Sequence, residues 1–448
     1  MNTPITLLIA GAMFTAAGVG SLVGQEVREL SMEQAVEEAL ANNRRLAVAE
    51  ARADAAAAGV KGSDAFLWPS VGVEACTIRT NDPVGVFGTK LRQGRFTMSD
   101  LDIEALNHPD AVNDWSAAAG VRWAIADLSS WAGRDAARSE ADAAHWGASR
   151  AREGTAFRTR ALYLDALRLG AQLESAVAAE EAARGTLDLI RRRRDEGSLM
   201  DGDVLQAEAE LQGAEANRIY AQQMELDARA RLAVFLGWEE GTLPMPTDAL
   251  TLPDAEVVVD GPEVGPLSNR SDIRALDSEL LAAEARARGA SRGWAPTLEA
   301  FGRGAVHSES LSEFQDNWTV GVQMRWPLFT GFGISAARDQ ARAGVRAMEL
   351  ERAQALSEAR AELDEARRGV VSATRRVGAM EAAAAAAAEA RRLVELRFQE
   401  GLATTVDLLQ AEARLTGMRA GAVDALADYH LAVARLELVS ATNPDNSR

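Results

Sequence analysis

One cysteine, Cys76, in a chain of 448 residues leaves no partner for an internal disulfide. Its place well inside the chain gives no support to an amino-terminal lipid anchor on cysteine. Positive charge is also short: 48 Lys and Arg against 66 Asp and Glu give a formal charge of −18. That balance argues against a nucleic-acid surface, which needs clustered cations, and fits a solvated surface or a lumen that favours cations. Histidine is scarce, and His108, His145, His307 and His430 are scattered without metal-ligand spacing. Gly289-Ala290-Ser291-Arg292-Gly293 has the letters of a nucleophile elbow but leaves a helix and enters a strand, the reverse of the context an elbow needs. Gly85-Val86-Phe87-Gly88-Thr89-Lys90 lacks phosphate-loop spacing. No enzyme, cofactor or metal is expected. Aromatics make up 5% of the chain, while Ala, Glu and Arg dominate its helical stretches, as suits extended helix pairs that pack small side chains closely.

Long apolar runs are missing except at the start. Residues 1–24 carry no charged side chain and contain Ile5 to Phe14, with Gly18-Val19-Gly20 and Leu22-Val23-Gly24 as candidate cleavage sites. This reads as a secretory signal, although only the amino terminus supplies positive charge. The run is short for spanning a bilayer, and nothing later in the chain has the length and apolarity of a membrane helix.

Ser31-Met32-Glu33-Gln34 is a capping-box start for a short helix to Leu40, and a second helix is expected from Asn43 to Phe66, ending at Trp68-Pro69. Strand-like patterns follow at 71–78 and 115–123, separated by a long loop over 79–114. A second strand pair is expected at 297–302 and 318–326. Seven tryptophans, including Trp68, Trp115, Trp123, Trp294, Trp318 and Trp326, sit in or beside these hairpins. That placement favours an aromatic belt at a membrane interface over core packing.

A helix of roughly 60 residues, about 90 Å long, follows each hairpin, near 133–196 and 335–400. Each is broken at a glycine: Glu196-Gly197 leads into Asp203-Val204-Leu205-Gln206-Ala207-Glu208-Ala209, and Glu400-Gly401 into Asp407-Leu408-Leu409-Gln410-Ala411-Glu412-Ala413. Both glycine (197, 401) and aspartate (203, 407) repeat at an offset of 204 without a gap. Helices from Asp203 to about Leu236 and from Asp407 to about Val439 are half as long, so the return path needs completing segments, Asp272–Arg292 and Asn43–Phe66. These too repeat, at an offset of 227 that pairs Pro69 with Pro296 and Leu46 with Ile273. Between the copies, 237–269 is rich in turn residues.

Four strands cannot close a barrel, and open sheet edges are not tolerated in lipid, so other copies must fill them; the pattern alone does not choose three over two. The two tips, Arg325-Trp326-Pro327-Leu328-Phe329-Thr330-Gly331-Phe332-Gly333, Asn269-Arg270-Ser271-Asp272-Ile273-Arg274-Ala275, and Leu30-Ser31-Met32-Glu33-Gln34-Ala35 with Asn42-Asn43 together resemble the TolC family of outer-membrane efflux proteins. The resemblance implies a mainly α chain with a small β part. Three such chains would form a homotrimeric 12-stranded transmembrane β-barrel, four strands each, continued by a long periplasmic α-helical coiled-coil barrel.

It further implies an exit duct of a tripartite efflux or type I secretion system in the outer membrane. Its partners would be a periplasmic adaptor (membrane fusion) protein and an inner-membrane pump of the resistance-nodulation-division or ABC type. By resemblance the adaptor-contacting tips fall at Arg193, Gly197, Asp203, Arg397 and Gly401, and the periplasmic gate at Asp407 and Gln410. Relatives carry a second aspartate where this chain has Gln410, and a latching basic residue where it has Ala403; the turn kept at Pro327 is replaced in the first copy by Trp123-Ala124-Ile125-Ala126-Asp127. From the residues themselves, Asp203 and Asp407 suit first-turn service at a helix start, and Arg193 and Arg397 suit helix ends.

The expected organisation is a signal at 1–24, N-terminal helices at 25–66, the first hairpin at 67–126 and the first helical hairpin at 127–236. A linker at 237–269, a half helix at 270–294, the second hairpin at 295–329, the second helical hairpin at 330–441 and a tail at 442–448 complete it. The rival reading is a periplasmic coiled-coil spacer without a membrane barrel.

Overall fold

A computed structural model describes residues 26–239, 241–252 and 265–440. The expected signal, the tail and part of the 237–269 linker lie outside the described residues. In chain order the elements are β1 (Glu26–Leu30), α1 (Met32–Asn42), α2 (Arg44–Ser63), β2 (Ser70–Thr80), α3 (Pro83–Arg92), α4 (Ile103–Asn107), β3 (Val112–Ala126) and α5 (Leu128–Asp195). There follow α6 (Asp201–Leu236), β4 (Thr242–Pro246), α7 (Ser271–Ser291), β5 (Thr297–Ser308), β6 (Gln315–Arg325), α8 (Gly333–Gln399) and α9 (Thr405–Val439). The 68 residues of α5 and 67 of α8 make helices of about 100 Å each at 1.5 Å per residue. The chain forms two compact units, and both long helices contribute to each.

The first unit holds residues 1–43, 158–252 and 375–431. Here α1 starts as its sequence dictates, with the Ser31 hydroxyl accepting from the Gln34 N–H at 3.3 Å and the Gln34 side chain accepting from the Ser31 N–H at 3.0 Å. Leu30, Ala35, Ala39, Leu162, Tyr163, Leu232 and Leu236 form a closed cluster, each large side chain contributing about 1.5–3 kcal/mol by burial. The Tyr163 hydroxyl sits among the Leu30 carbonyl (2.8 Å), the Asp248 carboxylate and the backbone N–H groups of Thr247 (3.1 Å) and Asp248 (3.3 Å). Burial, reinforced by Asp248, pushes its pKa up to about 12. α6 ends on Gly237, at φ +79, where a β-carbon would meet the Asn42 carbonyl oxygen at 2.8 Å; only glycine satisfies both conditions.

One element here departs from the sequence reading. β1 and β4 pair in parallel, Glu26 with Thr242 through Leu30 with Pro246, β1 within the segment expected as N-terminal helices and β4 within the turn-rich linker. Pro244 and Pro246 argue against a strand within a sheet, but a two-stranded ladder consists only of edges, where proline is tolerated.

The second unit holds residues 44–157, 253–374 and 432–448. Its sheet is antiparallel in the order β2-β3-β5-β6, with one irregularity between Ala124 and Ala126. Leu46 of α2 and Ile273 of α7, paired by the repeat, are both fully buried. Arg270 is buried to 3% side-chain exposure between Asp272 (2.7 Å) and Glu362 (3.0 Å). The expected loop 79–114 is not loop throughout: it folds into α3 and α4. Asp82 caps α3 by accepting from the Gly85 N–H at 2.7 Å, and Pro83 occupies the first turn, where its missing donor costs nothing.

Candidate functional site

The sheet has two unlike faces, fixed by alternation along each strand. One carries Val71, Val73, Trp115, Val121, Trp123, Trp318, Val320, Val322 and Met324, all exposed. The other carries Glu74, Arg122, Glu299, Arg303, Asn317, Thr319, Gln323 and Arg325. A globular protein would bury the first face; here it is open, as it must be if its solvent is hydrocarbon.

The tryptophans bracket that face. The Trp123 indole N–H donates to the Leu67 carbonyl and that of Trp326 to the Trp294 carbonyl, each at 3.1 Å, equivalent bonds in the two copies. They hold Trp123, Trp294 and Trp326 at one end of the sheet, beside Trp68. Trp115 and Trp318 lie eight residues away along β3 and β6, about 26 Å at the rise of a strand, close to the height of an outer-membrane apolar band, about 25 Å.

The helix tips share one design. α5 and α8 both stop in a paired carbonyl capture. At the first tip the Gly197 N–H reaches the Arg194 carbonyl (2.9 Å) and Ser198 reaches Arg193 (2.9 Å). At the second, Gly401 reaches Phe398 (3.0 Å) and Leu402 reaches Arg397 (2.8 Å). Gly197 at φ +78 and Gly401 at φ +73 supply the left-handed residue that this ending requires.

Both aspartates then serve the next helix. Asp203 accepts from the Met200 N–H at 3.0 Å. Asp407 accepts from the Thr404 N–H (2.8 Å) and hydroxyl (2.7 Å), while the same hydroxyl accepts from the Asp407 N–H at 3.2 Å. The Thr404 N–H, then its hydroxyl, with Arg397 adding charge, hold the Asp407 carboxyl below the usual carboxylate range. Gln410 is exposed one turn further on.

The tips are also joined. Arg193 donates to the Phe398 carbonyl at 2.5 Å and to the Gln399 carbonyl, and its guanidinium lies over the Phe398 ring at 5.3 Å. A cation from the first copy thus satisfies the carbonyl end of the second copy's helix. Phe398, fully buried, seals a cluster with Leu187, Ile190, Val204, Ala207 and Leu408. Sequence reasoning singled out Arg193 and missed Phe398 and Thr404. Phe398 is the bulky apolar residue just before Glu400-Gly401, and Thr404-x-x-Asp407 is a capping box in plain view.

A sheet with an apolar outer face and a polar inner one, carried by a chain of paired long helices, defines an outer-membrane channel. The sequence matches the outer membrane efflux protein family over residues 35–238 and 266–442, and the chain belongs to that family. Among solved structures it is similar to the CusC transmembrane channel, with a TM-score of 0.78 at 18% identity and 91% of each chain covered. It also matches the CmeC outer-membrane channel of Campylobacter jejuni, at 0.78 and 15%, covering 92% of this chain and 85% of that one. VceC of Vibrio cholerae matches at 0.75 and 22%, covering 91% and 96%. A comparison with curated protein sequences finds no match.

The expected fold class stands: a mainly helical, two-repeat chain of a trimeric channel with a β-barrel and a helical barrel. The protein is an exit duct of the outer membrane whose helical barrel lies in the periplasm. Its family is one of channels, not enzymes. The Ser291 hydroxyl donates to the Ala287 carbonyl of its own helix at 2.8 Å.

Proposed function

We propose that cargo is handed to this duct by an inner-membrane pump of the resistance-nodulation-division or ABC type through a periplasmic adaptor docked on the two helix tips, and leaves passively. The observation that carries this is the matched pair of tips: equal five-residue reversals, at 196–200 and 400–404, tied by Arg193 to the Phe398 and Gln399 carbonyls. In this reading Gly197, Asp203, Arg397 and Gly401 shape a rigid, doubled surface for the adaptor, and Arg193 clamps it. Trp68, Trp115, Trp123, Trp294, Trp318 and Trp326 sit at the two membrane interfaces. Residues 1–24 direct export.

Photo-crosslinkers placed at Glu196 and Glu400 in intact cells test the docking, with the adaptor as the expected captive; capture of no periplasmic protein from either position would refute it. The spacer alternative predicts release by carbonate washing, whereas the duct stays in the membrane as a detergent-soluble, heat-sensitive trimer. For the gate, Asp407→Ala is expected to raise single-channel conductance in planar bilayers, and an unchanged conductance removes Asp407 from that role.

A further inference from the structure

The helical insertion between β2 and β3 adds no strand to the sheet, and polar contacts fasten it there. Gln93, directly after α3, is buried, and its side-chain amide donates to the Asn113 carbonyl at 2.8 Å and to the Asp114 carboxylate at 3.0 Å. Asp114 also binds the His307 ring nitrogen at 2.9 Å. At Gly94, φ +66, a β-carbon would lie 3.2 Å from the Gln315 side chain, and Arg95 pairs with Glu309. Asp114, His307 and Gln315 stand on the same face of the sheet as Arg122, Arg303 and Arg325, the polar face. The insertion is therefore fastened to the lumen side of the sheet, at the end away from Trp123 and Trp326.

It is internally stiff. Lys90 pairs with Asp100 at 2.7 Å, Asp100 accepts from the Thr97 N–H at 2.8 Å, and Phe87 packs edge-on against Phe96 with 4.9 Å between ring centroids. Lys90 first, then Thr97, holds the Asp100 pKa down at about 2. Yet Val84, Met98 and Ile103 are 81%, 83% and 75% exposed, and Leu91 and Leu101 are half exposed. Apolar side chains held over an aqueous outlet need a cover. The second hairpin supplies none, since β5 and β6 are joined by the short turn 309–314.

We infer that the insertions of the three copies meet over the outer mouth through these apolar side chains and form an outer constriction that limits what leaves the duct. The occupant of each apolar surface is the neighbouring copy's insertion. The strand-edge contact between copies continues directly into it, because α3 starts three residues after the edge strand β2 ends. Three equivalent elements fastened to the inner wall of one mouth converge on its axis. This inference rests on the three-copy barrel described above.

The test uses the full-length protein in outer membranes, in a Cys76→Ser background with Ile103→Cys. A short bismaleimide is expected to link two chains on a denaturing gel. In planar bilayers, replacing residues 82–110 by a short Gly-Ser turn is expected to raise single-channel conductance, as is the double variant Met98→Asp, Ile103→Asp, which leaves the insertion's polar fastening intact. A native trimer that stays unlinked, or whose conductance is unchanged by both the replacement and the double variant, overturns the constriction. Labelling of the Ile103→Cys thiol by a lipid-phase probe in place of linkage assigns the apolar surface to the membrane and likewise overturns it. Failure to recover any trimer strikes at the barrel itself, so the two failures are told apart on the same gel.

Discussion

The two helix tips are built alike and stabilised differently, and the difference shows how a duplicated chain divides labour. Both reverse over five residues around a left-handed glycine. At the second tip Phe398 is buried and Thr404 caps the returning helix through its side chain; at the equivalent positions the first tip has Arg194, paired with Asp195 and Asp201 at 2.8 and 3.0 Å, and Met200, which offers only its backbone. The first tip gives a cation to the second, through Arg193; its counterpart Arg397 is exposed. The first copy thus supplies Leu187, Ile190, Val204 and Ala207 of the shared core together with the Arg193 charge, and the second copy supplies Leu408 and the Phe398 that seals it.

That asymmetry can be broken from its strongest point. Phe398→Ala is expected to cost about 3–5 kcal/mol of local stability, the range for emptying a buried aromatic site, read as loss of hydrogen-exchange protection at both tips. Arg194→Ala, the same position in the first copy, is expected to leave protection nearly unchanged, because its pairs are solvated. Equal effects would show that the tips do not share one core. Arg193→Ala removes two charge-assisted bonds to carbonyls, at about 1.5–3 kcal/mol. Its loss should raise exchange around Glu400 and Gly401, in the other copy; Arg193→Lys should not fully restore protection, since an ammonium lacks the planar fork. Arg397→Ala should do neither. Smaller again is the cap: Thr404→Ala should cost about 1 kcal/mol and Met200→Thr should gain a similar amount, which would make the tips more equal.

The tips and the long helices were readable because their signals are local. Glycine after a charged helix end, a capping box at Ser31 and a gapless repeat require no knowledge of what lies across the fold. The strand pairs were readable for the same reason, through alternation and flanking proline. The Arg193 to Phe398 tie was not readable, since it joins residues distant in sequence and depends on how two reversals meet. The pairing of β1 with β4 was hidden by the same distance and by Pro244 and Pro246, which count against a strand unless both partners are known to be edges. The insertion helix α3 is a different case. Asp82-Pro83 is a complete start signal, masked by the glycines at 85 and 88, which weigh against a helix in any average over the segment.

The smallest expected effect concerns acid. The Thr404 N–H and hydroxyl lower the Asp407 pKa in the folded tip, so the capped state is favoured wherever the carboxylate is charged. A depressed folded-state pKa means that this contribution is fully present above the unfolded value and is lost as pH falls through the folded one. The second tip should therefore keep its cap at neutral pH and loosen only below the ordinary carboxylate range, with exchange at Thr404 and Leu402 rising relative to the intrinsic acid rate. Asp407→Asn, which keeps the shape and removes the titration, should flatten that rise, while Thr404→Ala, which keeps the N–H at 404 and removes the hydroxyl, should instead lower protection at the Asp407 N–H. A rise that persists unaltered in Asp407→Asn would mean that acid acts on the tip through another group, and the division of labour between the copies would then not extend to their response to pH.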